Sequence, residues 1–265
     1  MTANNTAAAC LRSVRERTHG YNYRDGTVSL RVKHAKYTVS MTKLTSFSPV
    51  FEDLFSMPKA DQEPIELDHD VDEFESLLWY LHASHLEFAN FMANPDPDMH
   101  LDCIANIGSM AHFYQCLAVT DWAISEILKL LSAFETGEML AQMQRLLLFA
   151  HRCKDHAPQL LQEVRNLWCS SGWMVIAPSF CLQNVKMLDD NYLQARCYFN
   201  ILEQTSAEIR NDNLLTALDR LRLNIGAINL RKYENIHCCN STRGRAVGCS
   251  KVLALAQNYV AGHVR

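Results

Sequence analysis

The stretch of sequence that decides the fold covers residues 25–55 and reads DGTVSLRVKHAKYTVSMTKLTSFSPVFEDLF. Apolar and polar residues alternate over Val28–Val32 and again over Lys36–Ser40, and this period of two predicts a pair of half-buried strands. The connection through His34 and Ala35 is short, so the two strands are predicted to pair as a hairpin.

The second half of this stretch predicts two short helices. Its apolar residues recur at spacings of three and four and form one stripe: Leu44, Phe47, Phe51, Leu54 and Phe55. Pro49 lies inside that pattern, and proline ends or kinks a helix, so the two helical pieces should meet near Ser48. Ser40 or Thr42 can cap the first piece, because each carries a side-chain oxygen.

The next segments continue an alternation of strand and helix. Pro64–Leu67 predicts a short strand, and Asp70 or Asp72 is expected to open a helix. The inward-facing residues of that helix are predicted to be Phe74, Leu77, Leu78 and Leu81. His85–Phe88 again alternates and predicts a further short strand, and 94–98 predicts a loop before a helix that resumes by Leu101.

Beyond residue 100 the pattern predicts helices only. We expect them at about 101–116, 120–134, 137–154, 158–170, 190–209, 213–231 and 250–261. Strands in the first third followed by helices in the rest give an α+β protein with an all-α C-terminal extension.

In order and spacing, the first third resembles a BTB/POZ domain. It is most similar to BTB proteins from mushroom-forming (basidiomycete) fungi, which share an Asp-Gly before a strand, a Ser-Pro-Val-Phe helix and a Phe-Glu helix. The signature and core positions that the resemblance implies are Asp25, Gly26, Leu44, Ser48, Pro49, Val50, Phe51, Phe55, Phe74 and Leu78.

The resemblance divides the chain into three parts. Residues 20–134 resemble the BTB/POZ domain, a small sheet flanked by helices. Residues 1–19 form an N-terminal arm, in which the pattern at Ala7–Arg17 is helical and Leu11 and Val14 can face one partner. Residues 135–265 form the helical extension, with a basic C-terminal segment that contains cysteines.

Composition excludes several classes of protein. The 265 residues carry a formal net charge of −4, which gives no global case for direct nucleic-acid binding. No run of about 18 apolar residues occurs, so no membrane span is expected. The ten cysteines are scattered and predict free thiols in a cytoplasmic or nuclear protein.

Charge is distributed unevenly along the chain. Residues 11–36 and 231–265 are basic, whereas residues 52–75 carry ten acids against Lys59 alone. Two explanations stay open. The blocks can be solvated faces of different elements, or the basic segments of one chain can bind the acidic segment of another in self-association.

Catalytic and metal-binding patterns are weak. Zinc prefers two spaced pairs of soft ligands, and the candidates His237, Cys238, Cys239 and Cys249 do not provide them, so free thiols are favoured and no metal is expected. The acids Asp68, Asp70, Asp72, Glu73 and Glu75 predict a solvated helix start rather than an acid–base pair. We therefore expect no catalytic residue and no cofactor.

The BTB resemblance implies a protein–protein interaction module. Such domains form homodimers, and some bind a cullin-type ubiquitin-ligase scaffold as adaptors. Two alternatives stay open: a transcriptional regulator that acts through a corepressor, and an enzyme with diverged motifs. A deep polar pocket with a perturbed His or Cys would favour the enzyme, and a broad apolar patch would favour the interaction module.

Overall fold

The computed structural model describes residues 26–57, 64–93, 97–132, 140–170 and 172–237. These residues fall into two compact units, one within 1–135 and 141–164 and the other within 136–140 and 165–265. The first unit therefore includes residues 141–164, which follow the predicted BTB range.

The first unit combines three strands with flanking helices. Its elements are β1 (Thr27–Val32), β2 (Ala35–Ser40), α1 (Met41–Phe47), α2 (Pro49–Ser56), β3 (Ile65–Leu67), α3 (Val71–His82), α4 (His85–Ala93), α5 (Pro97–Phe113), α6 (Leu117–Ser132), α7 (Leu140–Arg152) and the start of α8 (Pro158–Ser170).

The sheet has the order β2-β1-β3. The two segments of alternating sequence form a hairpin as predicted: β1 and β2 are antiparallel, with Leu30 opposite Tyr37. The third strand joins the other edge of β1 in parallel, with Leu30 opposite Ile65. The hairpin turn contains Lys33 at a φ of 52°.

Local hydrogen bonds fix the starts of the helices. Ser40, not Thr42, caps α1 by accepting a hydrogen bond from the Lys43 amide, and Asp70 caps α3. Gly26 has a φ of 90°, a conformation that suits glycine, and its carbonyl accepts a hydrogen bond from the Met41 amide. Gly26 thus leads the chain into β1 beside the start of α1.

The core of the first unit lies between the sheet and the helices α2, α3 and α5. Its fully buried side chains include Leu30, Val39, Leu44, Phe51, Phe74, Leu77, Leu78 and Tyr114, and Leu54, Phe55 and Leu81 pack against it partly buried. The apolar stripes of the sequence therefore meet in one cluster, whose burial is the main stabilising term of this unit.

The second unit is helical. Its further elements are α9 (Trp173–Ile176), α10 (Pro178–Lys186), α11 (Asn191–Leu202), α12 (Ser206–Asn211) and α13 (Ala217–His237). Its core contains buried apolar residues of α10 and α11, among them Leu182, Val185, Leu193 and Ile201.

Asp219 connects the helices of the second unit. Burial would raise the pKa of its carboxyl, but hydrogen bonds from Lys186, Thr216 and Tyr198 outweigh that effect and lower the pKa to about 2. The carboxylate is fully buried. Its three partners come from α10, α11 and the turn before α13, so this charge fixes how those elements pack.

One predicted strand was wrong. His85–Phe88 is not a strand but the start of α4, because Ser84 and Glu87 form a reciprocal cap and Phe88 and Phe91 pack on Trp79. The helix expected to resume by Leu101 is present and begins at Pro97.

The extension also differs in detail. The predicted helix over 190–209 is divided, since Thr205 and Glu208 form a capping box that starts α12. The short helices α9 and α10 were not predicted. The predicted helices at Ala7–Arg17 and 250–261 lie outside the described residues.

Candidate protein-interaction surface

Ser48 connects the start of α2 to the turn between α5 and α6. Its hydroxyl donates to the Tyr114 carbonyl at 2.6 Å and accepts from the amides of Val50 and Phe51. Serine satisfies the open amides of a helix start, and Pro49 follows at the first helical position, where it costs no hydrogen bond. The signature residue Ser48 therefore fixes the position of a distant turn.

Aromatic contacts fix the same turn from the inside. The Tyr114 ring stacks on Phe51 with centroids 4.0 Å apart, and both side chains are buried. The Tyr114 hydroxyl lies 2.9 Å from Nε2 of His69. Burial raises the pKa of Tyr114, and burial is also the main cause that lowers the pKa of His69, so the imidazole is neutral at pH 7.

Two apolar side chains project from this fixed turn into solvent. Phe113 is 58% exposed and Leu117 is 55% exposed. The ring of His69 meets Phe113 edge to face at 4.7 Å, and Gln115 between them adopts a φ of 57°. We call Phe113 and Leu117 the apolar corner. Exposed apolar side chains on a rigid support lose little entropy on binding, so they suit contact with another protein.

A charged cleft of about 400 Å³ lies near His69. Its lining comes from the hairpin, the start of α3, α5 and α7: Lys33, Asp68, His69, Asp70, Asp72, Glu73, Asn106, Arg145, Leu148 and Arg152. Both positive and negative groups line it, so the cleft has no single charge that would select an anionic or cationic ligand.

The ion pairs of the cleft attach α7 to α3. Arg152 Nη1 lies 2.9 Å from Glu73 Oε1, and Arg145 Nη2 lies 3.6 Å from Asp72 Oδ2. Lys33 Nζ lies 3.3 Å from Asp70 Oδ2. These arginines belong to 141–164, a segment that also buries Leu146, Leu147 and Phe149. Apolar burial is the larger contribution to its place in the first unit, and the partly exposed ion pairs add to it.

The acidic block of the sequence is therefore partly neutralised within one chain. Besides these pairs, Glu66 binds Arg31 at 2.8 Å. Glu75, which the sequence placed on a solvated helix start, is buried and accepts a hydrogen bond from the Tyr37 hydroxyl at 2.9 Å. Fewer acids are left for basic partners than the sequence count indicates.

The ionisation of Asp70 follows from the same pairing. Burial would raise the pKa of its carboxyl, but the hydrogen bond from Lys33 and those from the backbone amides of α3 outweigh it, so the pKa is lowered. Asp70 therefore acts as a charged helix cap.

The predicted signature residues have distinct positions. Leu44, Phe51, Phe74 and Leu78 are fully buried, Val50 and Phe55 are partly buried, and Pro49 is exposed. Ser48 is buried at the turn contact, Gly26 lies before β1, and Asp25 lies outside the described residues. Sequence reasoning missed the apolar corner, because no local pattern marks Phe113 or Leu117 as exposed.

No metal centre forms within the parts of the chain that the structure describes, where no cluster of three or more His, Cys, Asp or Glu side chains is placed to hold an ion. Cys238, Cys239 and Cys249 lie outside those parts, and of His237 only the backbone is described. The thiols of Cys116 and Cys181 have pKa values raised by burial to about 11, which disfavours nucleophilic thiolates there.

Residues 22–131 match the family model of the BTB/POZ domain. The chain thus contains a BTB domain, built from a three-stranded sheet flanked by helices and followed by a helical C-terminal region. BTB/POZ domains form a non-enzymatic family of protein–protein interaction modules. The predicted fold class is confirmed, and the narrower similarity to mushroom-forming fungi stays a prediction.

No curated protein matches the chain. Among the described helices, none is long and apolar enough to cross a membrane.

Proposed function

We propose that this protein is a homodimeric adaptor, which self-associates through its N-terminal part and binds a second protein at the apolar corner. The second protein is a scaffold of the cullin type, and the complex acts in the cytoplasm or the nucleus. The observation that carries the proposal is the exposed pair Phe113 and Leu117 on a fixed turn of a BTB domain.

Three features support a binding function for the corner. The turn is fixed by Ser48 and Tyr114, so a partner meets a preformed surface. An aromatic ring with an aliphatic neighbour is the kind of anchor that carries much of the energy in protein interfaces. The thiol of Cys116 in the same turn donates to the Phe47 carbonyl, and this hydrogen bond further limits the movement of the turn.

Self-association is tested by co-expressing two copies of the chain with different affinity tags. Purification through one tag should recover the other copy. Replacing Leu11 and Val14 by Asp in the N-terminal arm should abolish that recovery, because charged groups cannot be buried unpaired in an interface. Recovery of both tags from the arm variant would show that the arm is not the dimer contact.

Scaffold binding is tested separately by calorimetry with the purified N-terminal domain of a cullin. We expect binding by the wild-type chain and loss of binding by Phe113→Asp, whose two copies still co-purify. Leu86→Asp is a matched control, since Leu86 is an exposed leucine of another helix, α4, and its replacement should leave binding unchanged. Equal heats for wild type and Phe113→Asp would contradict the role of the corner.

A further inference from the structure

The last described helix, α13, carries a stripe of apolar side chains on its solvent side. Leu218, Leu221 and Ile228 are 54%, 54% and 52% exposed, and Ile225 is partly buried. Their spacings of three, four and three residues place them on one face of the helix. Exposed aliphatic residues in such a row mark a surface that another element covers.

The other side of α13 is anchored, so the helix cannot roll to bury the stripe. Leu223 is buried in the second unit, and Asp219 is fixed by its hydrogen bonds to Lys186 and Tyr198. Rotating the helix would separate the buried Asp219 carboxylate from Lys186 and Tyr198, and leaving a buried charge without its partners is costly. The stripe therefore stays on the solvent side of α13.

The size of the stripe indicates what covers it. Three half-exposed aliphatic side chains and one partly buried one offer only a few hundred Å². A stable complex between separate molecules buries about 800 Å² on each partner. A segment of the same chain needs less area, because tethering gives it an effective concentration of the order of millimolar.

The sequence after α13 contains a segment of matching character and length. On a helical projection of residues 250–261, one face of about 160° holds the large apolar residues: Val252, Leu253, Leu255, Ala256, Tyr259 and Val260. The opposite face holds Ser250, Lys251, Ala254, Gln257 and Asn258. As a helix, this segment would be about 18 Å long, close to the 15 Å or so from Leu218 to Ile228.

The connection is long enough for the segment to reach the stripe. Residues 238–249 lie between the end of α13 at His237 and the segment, and 12 residues span up to about 40 Å. The far end of the stripe, Leu218, lies about 28 Å back along the helix from His237. The segment can therefore run antiparallel to α13.

We propose that residues 250–261 form an amphipathic helix that docks antiparallel on the stripe of Leu218, Leu221, Ile225 and Ile228. The occupant of this surface is thus the C-terminal segment of the same chain. It completes the second unit by covering its exposed apolar face.

Hydrogen–deuterium exchange of the full-length protein, read by mass spectrometry, tests the proposal. Leu255→Asp puts a charge on the apolar face and should speed exchange about tenfold or more in peptides of α13 and of 250–261. Ala254→Asp is the matched control: the same charge one residue away, on the polar face, should leave both sets of peptides unchanged.

Leu221→Asp supplies a reciprocal test from the described helix. It should speed exchange in 250–261, and an intact circular dichroism spectrum shows that the unit remains folded. The proposal is overturned if Leu255→Asp and Ala254→Asp give the same exchange as wild type, or if both speed it equally. It is also overturned if protection of α13 rises with protein concentration, because the cover would then be a second copy of the chain.

Discussion

Gly108 in α5 lies where three helices of the first unit meet, and replacing it by alanine should destabilise that unit. A Cβ at position 108 would lie 2.6 Å from Phe149 Cζ and 2.8 Å from Ala123 Cβ. Both are about 1 Å inside the 3.5–4.0 Å at which carbon atoms attract. Ala123 Cβ is fixed to the backbone of α6 and Phe149 of α7 is fully buried, so the helices themselves must move apart.

Two opposing terms set the change in unfolding free energy that Gly108→Ala causes. Alanine in place of glycine gains about 1 kcal/mol of helix propensity. Overpacking of a tight core costs about 1–3 kcal/mol, and rigid neighbours on two sides favour the upper end of that range. We expect a net loss of about 1–2 kcal/mol, which lowers the melting temperature by about 2–8 °C.

Urea unfolding followed by circular dichroism measures this loss, with Gly226→Ala as the control. Gly226 also lies in a helix, but the nearest atom to its added Cβ is Leu202 Cδ1 at an ordinary 3.7 Å, so that variant should be as stable as wild type or more so. Adding Ala123→Gly to Gly108→Ala should recover part of the loss. A Gly108→Ala protein at least as stable as wild type would refute the packing of α5, α6 and α7.

Four further predictions follow from buried and charged groups. Phe51→Ala should lose about 3–5 kcal/mol of unfolding free energy, because Phe51 is fully buried; a wild-type melting temperature would contradict this. Arg152→Gln should lose about 1 kcal/mol or less, a difference that disappears in high salt, as unfolding at two ionic strengths will show. Asp219→Asn should destabilise the protein at pH 7. The folded pKa of Asp219, about 2, lies below the ordinary value of 3.8, so the stabilisation from the ionised carboxylate is complete above about pH 4 and is lost as the pH falls toward 2. The unfolding free energies of wild type and Asp219→Asn, measured against pH, should therefore converge near pH 2. Elemental analysis should find no stoichiometric zinc, and one zinc per chain would overturn that expectation.

Sequence predicts best the elements whose position depends on interactions between residues close in the chain, such as caps, turns and apolar alternation. The hairpin follows from alternation over Val28–Val32, and the break between α1 and α2 follows from Pro49 after a capping serine. The error at α4 has an equally local cause: four alternating residues were given more weight than Ser84 and Glu87, whose spacing is that of a capping box.

The candidate site was less predictable, because it depends on distant contacts. Glu75 belongs to an acidic run, and only its meeting with Tyr37, 38 residues away, shows that it is buried. Arg145 and Arg152 stand in the extension, yet their partners lie on α3. The exposure of Phe113 depends on where the α5–α6 turn is fixed, and no periodicity carries that information.

Self-association through the N-terminal part of the chain is the central claim, and the mass of the full-length chain in solution tests it most directly. Light scattering coupled to size-exclusion chromatography at micromolar concentration should give a species of twice the 30.2 kDa chain mass. A single species of 30.2 kDa that persists as the concentration is raised would contradict the claim.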